Sequence, residues 1–198
     1  MMKALVNKKS SEQASETEIS VNHQKLIDAT IETIAKRGLA DTTIAHVAKR
    51  AKVSQGYANF RFKSKDNLLI SSLQYLSDEY KKSWQKIFEE KNIDPIDRII
   101  RIIQNDFSSK IANRNKISVW IAFYSEVKFR PSYLAICQRQ DEIYSQLMDK
   151  LVSETYHSMV DGLWQRILFD PKIYTNEFCK NLVLKYFKSI YVNEDRFA

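Results

Sequence analysis

Apolar residues recur at helical spacing along nearly the whole chain. Leu26, Ile27, Thr30, Ile31 and Ile34 share one side of a helix predicted over about Val21 to Arg37, which Gly38 stops. Asp41 and Thr42 are good N-cap residues, and after them Ile44, Val47, Ala48 and Ala51 predict a short second helix. Lys52, Val53 and Ser54 then make a turn, with Val53 as apolar anchor and Ser54 as a further N-cap. Gln55 to Asn59 follows as a third helix that looks too short and too polar to exist for its packing alone. Ser64 caps a longer fourth helix, which carries Leu68, Leu69, Leu73, Leu76, Tyr80, Trp84 and Phe88 to about Lys91.

Beyond Asp94-Pro95 a strongly amphipathic helix places Ile96, Ile99, Ile100, Ile103 and Phe107 at intervals of three and four. A sixth helix spans about Asn115 to Lys128 and holds Trp120, Phe123 and Tyr124. Pro131 opens a seventh, with Tyr133, Leu134, Cys137, Ile143, Tyr144, Leu147 and Leu151, and two more cover Met159 to Phe169 and about Tyr174 to Tyr191. One stretch resists: no turn signal occurs between Pro131 and Gly162, so 131–169 would read as one helix about 58 Å long at 1.5 Å per residue, which is doubtful in a chain of this size. Three glycines and three prolines cannot serve a many-stranded fold, so the expected class is all-α with about nine helices. The expected organisation is a disordered arm over 1–20, a three-helix head over 21–65 and a helical-bundle body over 66–198.

Two short helices joined by a tight turn and followed by a basic lead into a long helix is how a protein places a helix in the major groove of DNA. Gln55, Tyr57 and Asn59 carry groups that hydrogen-bond to base edges or phosphates, and Gly56 removes a side chain where backbone approaches a surface. Charge points to the same place. Residues 21–65 carry nine Lys and Arg against three Asp and Glu, which is +6 of the chain's +7, whereas 66–198 carry nineteen against eighteen. An excess confined to the helix-turn-helix is an electrostatic footprint for phosphate, where an evenly spread one would imply only solubility.

Other classes find little support. There is no Gly-rich phosphate loop, no G-x-S-x-G and no H-E-x-x-H, and His23, His46 and His157 stand apart in sequence, so no enzyme, metal or cofactor is expected. His46 reads as a surface residue or phosphate donor. Cys137 and Cys179 lie in apolar helical patterns and read as buried thiols rather than a disulfide. Met1 to Thr17 lacks the apolar core of a signal peptide, and the run Ile117 to Tyr124 is far too short for a membrane span, so the expectation is cytoplasmic with no membrane partner. A competing class is an all-helical small-molecule or partner-binding protein whose basic head does not read DNA sequence.

The head sequence V-S-Q-G-Y-A-N-F-R-F-K-S-K-D-N-L-L at 53–69 resembles the DNA-binding domain of the TetR family of transcriptional regulators. In the body, W-I-A-F-Y at 120–124, Pro131, L-V-S-E at 151–154 and D-G-L-W-Q-R at 161–166 resemble the BetI branch, regulators of choline-to-glycine-betaine synthesis. The resemblance implies a ligand-responsive repressor that binds a near-palindromic operator as a homodimer through its last two helices, where Gly162 would allow close approach. It implies DNA contacts from Thr42, Thr43, Ser54, Gln55, Gly56 and Tyr57, continued by Asn59, Phe60, Arg61, Lys63 and Lys65. Many family members have Tyr at the position of Asn59 and His at that of Arg61; Arg61 keeps a phosphate donor, and Asn59 suits an adenine edge.

For the body, Trp120, Phe123, Tyr124 and Trp164, with Tyr80 or Trp84, are candidates to line an effector cavity. Aromatic faces attract quaternary ammonium groups at about 0.5 to 2 kcal/mol per ring, so choline or a similar cation is the expected effector, with Glu126 and Asp161 as acidic complements. The plainer reading of the same aromatics is core packing. The resemblance also implies that BetI-like chains are longer by about a dozen residues between Glu154 and Asp161, at the turn that the helical pattern failed to reveal.

Overall fold

A computed structural model describes residues 2–147 and 150–191, with side chains over 20–139 and 154–191. The helices in chain order are α1 (Met2–Arg37), α2 (Ile44–Ala51), α3 (Gln55–Phe62), α4 (Lys65–Glu89), α5 (Pro95–Asp106), α6 (Arg114–Tyr124), α7 (Pro131–Leu147), α8 (Lys150–Phe169) and α9 (Asn176–Ile190), and there is no strand among the described residues. The all-α class expected from the sequence is therefore the observed one. The chain divides into two units, Met1–Ser72 and Leu73–Ala198, and the division falls within α4 rather than at its start. Leu68 and Leu69, in the first turns of α4, are buried and belong to the first unit.

In the head, α1 packs on α2 and α2 on α3. The core is Leu26, Ile27, Ile31 and Ile34 from α1, with Val47, Ala48 and Ala51 from α2. Gly38 ends α1 at φ +79°, a left-handed conformation that costs glycine nothing, and its N–H donates to the Ile34 carbonyl at 2.7 Å. Thr43 and Ser54 cap α2 and α3, accepting from the backbone N–H of His46 and Tyr57. Between these helices Lys52 takes the left-handed conformation, and its N–H returns to the Ala48 and Lys49 carbonyls.

Two expectations change here. The backbone of α1 is helical from Met2, where an arm without regular structure was expected over 1–20. No glycine or proline precedes Gly38, so nothing in the sequence breaks the helix. The third helix reaches Phe62 instead of Asn59, because Ala58 and Phe62, one turn apart, are both buried and give it the packing face that its polar first turn concealed.

In the body, α5 packs on α9, α6 on α7 and α8, and α8 on α7 and α9. Ile102, Ile103, Ile117, Phe123, Tyr156 and Val183 are among its buried residues. Asp94 caps α5 by accepting from Ile96 N–H, with Pro95 at the first helical position, and Thr175 caps α9 by accepting from Phe178 N–H. The doubtful helix over 131–169 is two helices that pack on each other, α7 and α8; residues 148–149 between them lie outside the described residues, as do the side chains of Ile143, Tyr144, Leu147 and Leu151. The helix expected to begin at Met159 begins at Lys150. Cys137 and Cys179 are both buried thiols. Among the described residues no helix is long and apolar enough to cross a membrane, and no group of three His, Cys, Asp or Glu is placed to hold a metal.

Candidate nucleic-acid interface and effector cavity

The two sides of α3 differ sharply. Ala58 and Phe62 face the head core, while Gln55, Gly56, Asn59, Phe60 and Arg61 are exposed and Tyr57 is half-buried. Phe60 is 82% exposed, a large apolar ring with no role in the packing of its own unit. A β-carbon at Gly56 would meet only Ser54 Oγ, at 4.0 Å, among the described residues, so none of these demands glycine there. Thr43 and Ser54 are exposed, but each hydroxyl already serves as an N-cap.

The head's cations divide into those used internally and those turned outward. Arg50 donates from Nε to Thr33 at 3.2 Å and from Nη1 to Glu32 at 3.1 Å, which ties α2 to α1. Lys65 Nζ donates to the Ala40 carbonyl at 2.8 Å and closes the loop before α2 onto the start of α4. Lys49, Lys52 and Lys63 are exposed. Arg61 donates from Nε to His23 Nδ1 at 3.1 Å, and the His23 ring stacks on Phe62 at 5.2 Å. Burial, and secondarily the Arg61 charge, push the His23 pKa below 6.5, so the ring stays neutral and able to accept. His46 is exposed and hydrogen-bonds through Nδ1 to the Asp41 carbonyl at 3.0 Å. Thr42 does not reach the surface: it is fully buried, and its hydroxyl donates to the Gly38 carbonyl at 2.7 Å, which makes it a strut of the loop after α1.

Within the body lies a cavity of about 250 Å³. Its walls are Tyr80 of α4, Trp120 and Tyr124 of α6, Cys137 of α7, and one face of α8 from Glu154 to Trp164. Trp120 and Tyr124 stack at 5.9 Å, and Tyr80 meets Trp164 edge-on at 6.2 Å. Five of the eight residues expected to form an effector site therefore converge: Tyr80, Trp120, Tyr124, Asp161 and Trp164. The other three do not. Trp84 is buried against Phe88, Phe123 is buried against Tyr133 at 5.0 Å, and Glu126 lies 3.6 Å from Arg130.

The cavity also contains residues that the pattern did not single out. Glu154, His157, Ser158 and Asp161 recur at three and four along α8 and form its polar wall. Once α8 is known to start at Lys150 this spacing is legible, but a helix started at Met159 leaves most of it outside. Burial raises the Asp161 carboxyl above its ordinary range and lowers His157, the latter opposed by Glu154. Behind the wall, Asp106 is fully buried. Its Oδ2 accepts from Tyr156 at 2.8 Å and from Tyr80 at 3.2 Å, its Oδ1 from Asn105 at 3.0 Å, and its backbone carbonyl from Trp164 Nε1 at 3.3 Å. Burial pushes Asp106 up to about 6 against those three side-chain hydrogen bonds, with Asp161 adding to the rise.

Residues 26–71 match the family model for bacterial regulatory proteins, tetR family. The chain is 28% identical to the HTH-type transcriptional regulator BetI of Stenotrophomonas maltophilia, over 74% of this chain and 81% of that protein. It is 29% identical to BetI 1 of Chromohalobacter salexigens, over 77% and 81%. The first alignment runs over 158 positions, more than the share of this chain it covers, so that relative carries positions this chain lacks. A protein of Saccharomonospora viridis, described as a transcriptional regulator and solved in complex with choline, shares the fold at a TM-score of 0.72 and 15% identity, over 86% of this chain and 96% of that one. The exposed face of α3 on its basic three-helix head thus lies within a segment that matches the tetR family model, and the chain as a whole is similar to transcriptional regulators of BetI type.

Proposed function

We propose that this protein is a ligand-responsive repressor that binds a near-palindromic operator as a homodimer, and that its effector is a small organic cation, choline or a close relative. The reading of DNA rests on the outward face of α3, where Gln55, Asn59 and Phe60 stand exposed beside Arg61 and Lys63. In this reading Gln55 and Asn59 address base edges, while the N–H groups at the start of α3 and the exposed lysines address phosphates and fix register. Ser54 and Thr43 act by capping and Lys65 by bracing the loop at Ala40.

The cavity supports a cationic effector because aromatic rings and carboxylates share it. Tyr80, Trp120, Tyr124 and Trp164 offer ring faces, and Glu154 and Asp161 offer negative charge. Homodimerisation is supported by α9, whose Phe178, Leu182, Tyr186 and Ile190 form an exposed apolar stripe one turn apart. Two copies of such a face pair isologously, which is why the operator is expected to be palindromic. The effector acts by binding unequally to the DNA-competent and incompetent states.

Sequencing the DNA that the purified protein selects from a random pool tests class, palindromy and half-site spacing together. Enrichment of an inverted repeat with half-sites about one helical turn apart is expected. Recovery of no common sequence, with binding that depends on salt alone, would sink the operator reading.

A further inference from the structure

Asp106 and the cavity in front of it carry one more inference, which rests on the proposal of a cationic effector. Both groups that join Asp106 to the cavity are wall residues: Tyr80 donates its hydroxyl to the carboxylate, and Trp164 donates its indole N–H to the backbone carbonyl. The carboxylate thus lies one tyrosine away from the cavity, and its residue is braced to two of the aromatic walls. No lysine or arginine pairs with it among the described residues. A buried carboxylate without a cation is costly, and the cost is relieved either by a proton or by a positive charge placed nearby.

We infer that Asp106 is the charge complement of the effector, so that a monocation entering the cavity displaces the proton of Asp106 to solvent and takes over its role. Binding of the cation and loss of the proton are then one coupled event. The Asp106 pKa near 6 sets the working range. Above it the carboxylate is already ionised and waits for a cation, and below it a proton competes. Among the described residues, the other titratable groups facing this region are Tyr80 from α4, Tyr124 from α6, Cys137 from α7, and Tyr156, Asp161, His157 and Glu154 from α8. Asp161 raises the Asp106 pKa and is itself raised by burial, so it must be separated from Asp106 by experiment.

The test is calorimetric titration of the full chain, between pH 5 and 7.5, with choline and with its uncharged isostere 3,3-dimethylbutan-1-ol. Choline affinity is expected to rise about tenfold per pH unit up to about pH 6 and then level off, while the isostere shows no slope. Asp106→Asn should remove the slope and weaken choline at least tenfold at pH 7.5, with the isostere unaffected; Asp161→Asn should leave the slope in place. Should Asp106→Asn fail to fold, proton release on choline binding by Asp161→Asn, in which the competing carboxyl is gone, still decides. It should approach one proton per choline at pH 5 and vanish at pH 7.5. Binding of choline with no pH dependence and no proton release overturns the role of Asp106 alone. Absence of choline binding at every pH overturns the effector reading and this inference with it.

Discussion

His23 and Arg61 show how one contact on the head couples two sequence positions that look unrelated. Nδ1 of His23 accepts from Nε of Arg61, a contact that does not use the terminal nitrogens of the guanidinium. The ring must be neutral to accept, and burial with the Arg61 charge keeps it so. Because the folded pKa lies below the unfolded 6.5, this group stabilises the fold above pH 6.5, and that contribution is lost as pH falls through the folded pKa. An NMR titration of the His23 ring should therefore find a midpoint below 6.5, and Arg61→Gln should move it only part of the way back, since burial is the larger cause. A midpoint unchanged by Arg61→Gln would show that the contact does not persist in solution. Neither partner is predictable from spacing, because 38 positions separate them and only the packing of α1 against the end of α3 brings them together. Thr42 teaches the converse. Its residue type suits a phosphate contact, but its place in the loop after Gly38 turns the hydroxyl inward.

At the scale of elements, α9 has two apolar faces, and only one is satisfied within the chain. Cys179, Val183 and Phe187 are buried, whereas Phe178, Leu182, Tyr186 and Ile190 remain between 39% and 51% exposed. Placing a charge in the middle of that stripe, Leu182→Glu, should convert a dimer to monomer in sedimentation equilibrium with little loss of monomer stability, because the site is exposed in the single chain. A variant that stays dimeric would remove the stripe from the interface. The α3 helix supports a second prediction. Phe60→Ser should reduce discrimination among operators without altering the fold, and if the ring reads thymine methyls, replacing operator thymines by uracil should weaken the native protein but not the variant. Equal losses for both proteins would exclude that role. Most elements were legible in the sequence, since capping residues and apolar repeats at three and four are local signals. The division between α7 and α8 was not, because the stretch after Pro131 contains no glycine or proline to announce a turn, and the start assigned to α8 then hid its polar face.

At the scale of the whole molecule, the concentration of net charge in residues 21–65 predicts operator affinity that falls steeply with salt. Lys63→Gln should weaken specific and non-specific DNA alike and reduce the slope of log affinity against log salt by about one, as expected for loss of one phosphate contact. A slope unchanged by this substitution would show that Lys63 does not meet phosphate. Several head cations already serve the protein: Arg50 is spent on Glu32 and Thr33, and Lys65 on the Ala40 carbonyl. The net charge therefore overstates the number of phosphate contacts.

The sequence by itself determined the helical class, the helix-turn-helix and the basic head, because these follow from local spacing, residue type and summed charge, although the cap of α2 is Thr43 and not the Asp41 or Thr42 that the pattern offered. Tertiary structure alone decided which aromatics face a cavity and which are core, since Trp84 and Phe123 share the helical periodicity of Tyr80 and Trp120 and differ only in what packs against them. It also decided the place of Asp106. That carboxylate occupies an apolar register of α5, after Ile102 and Ile103, and its meaning comes from Tyr80 and Tyr156, which are 26 and 50 positions away and which folding sets on a single oxygen.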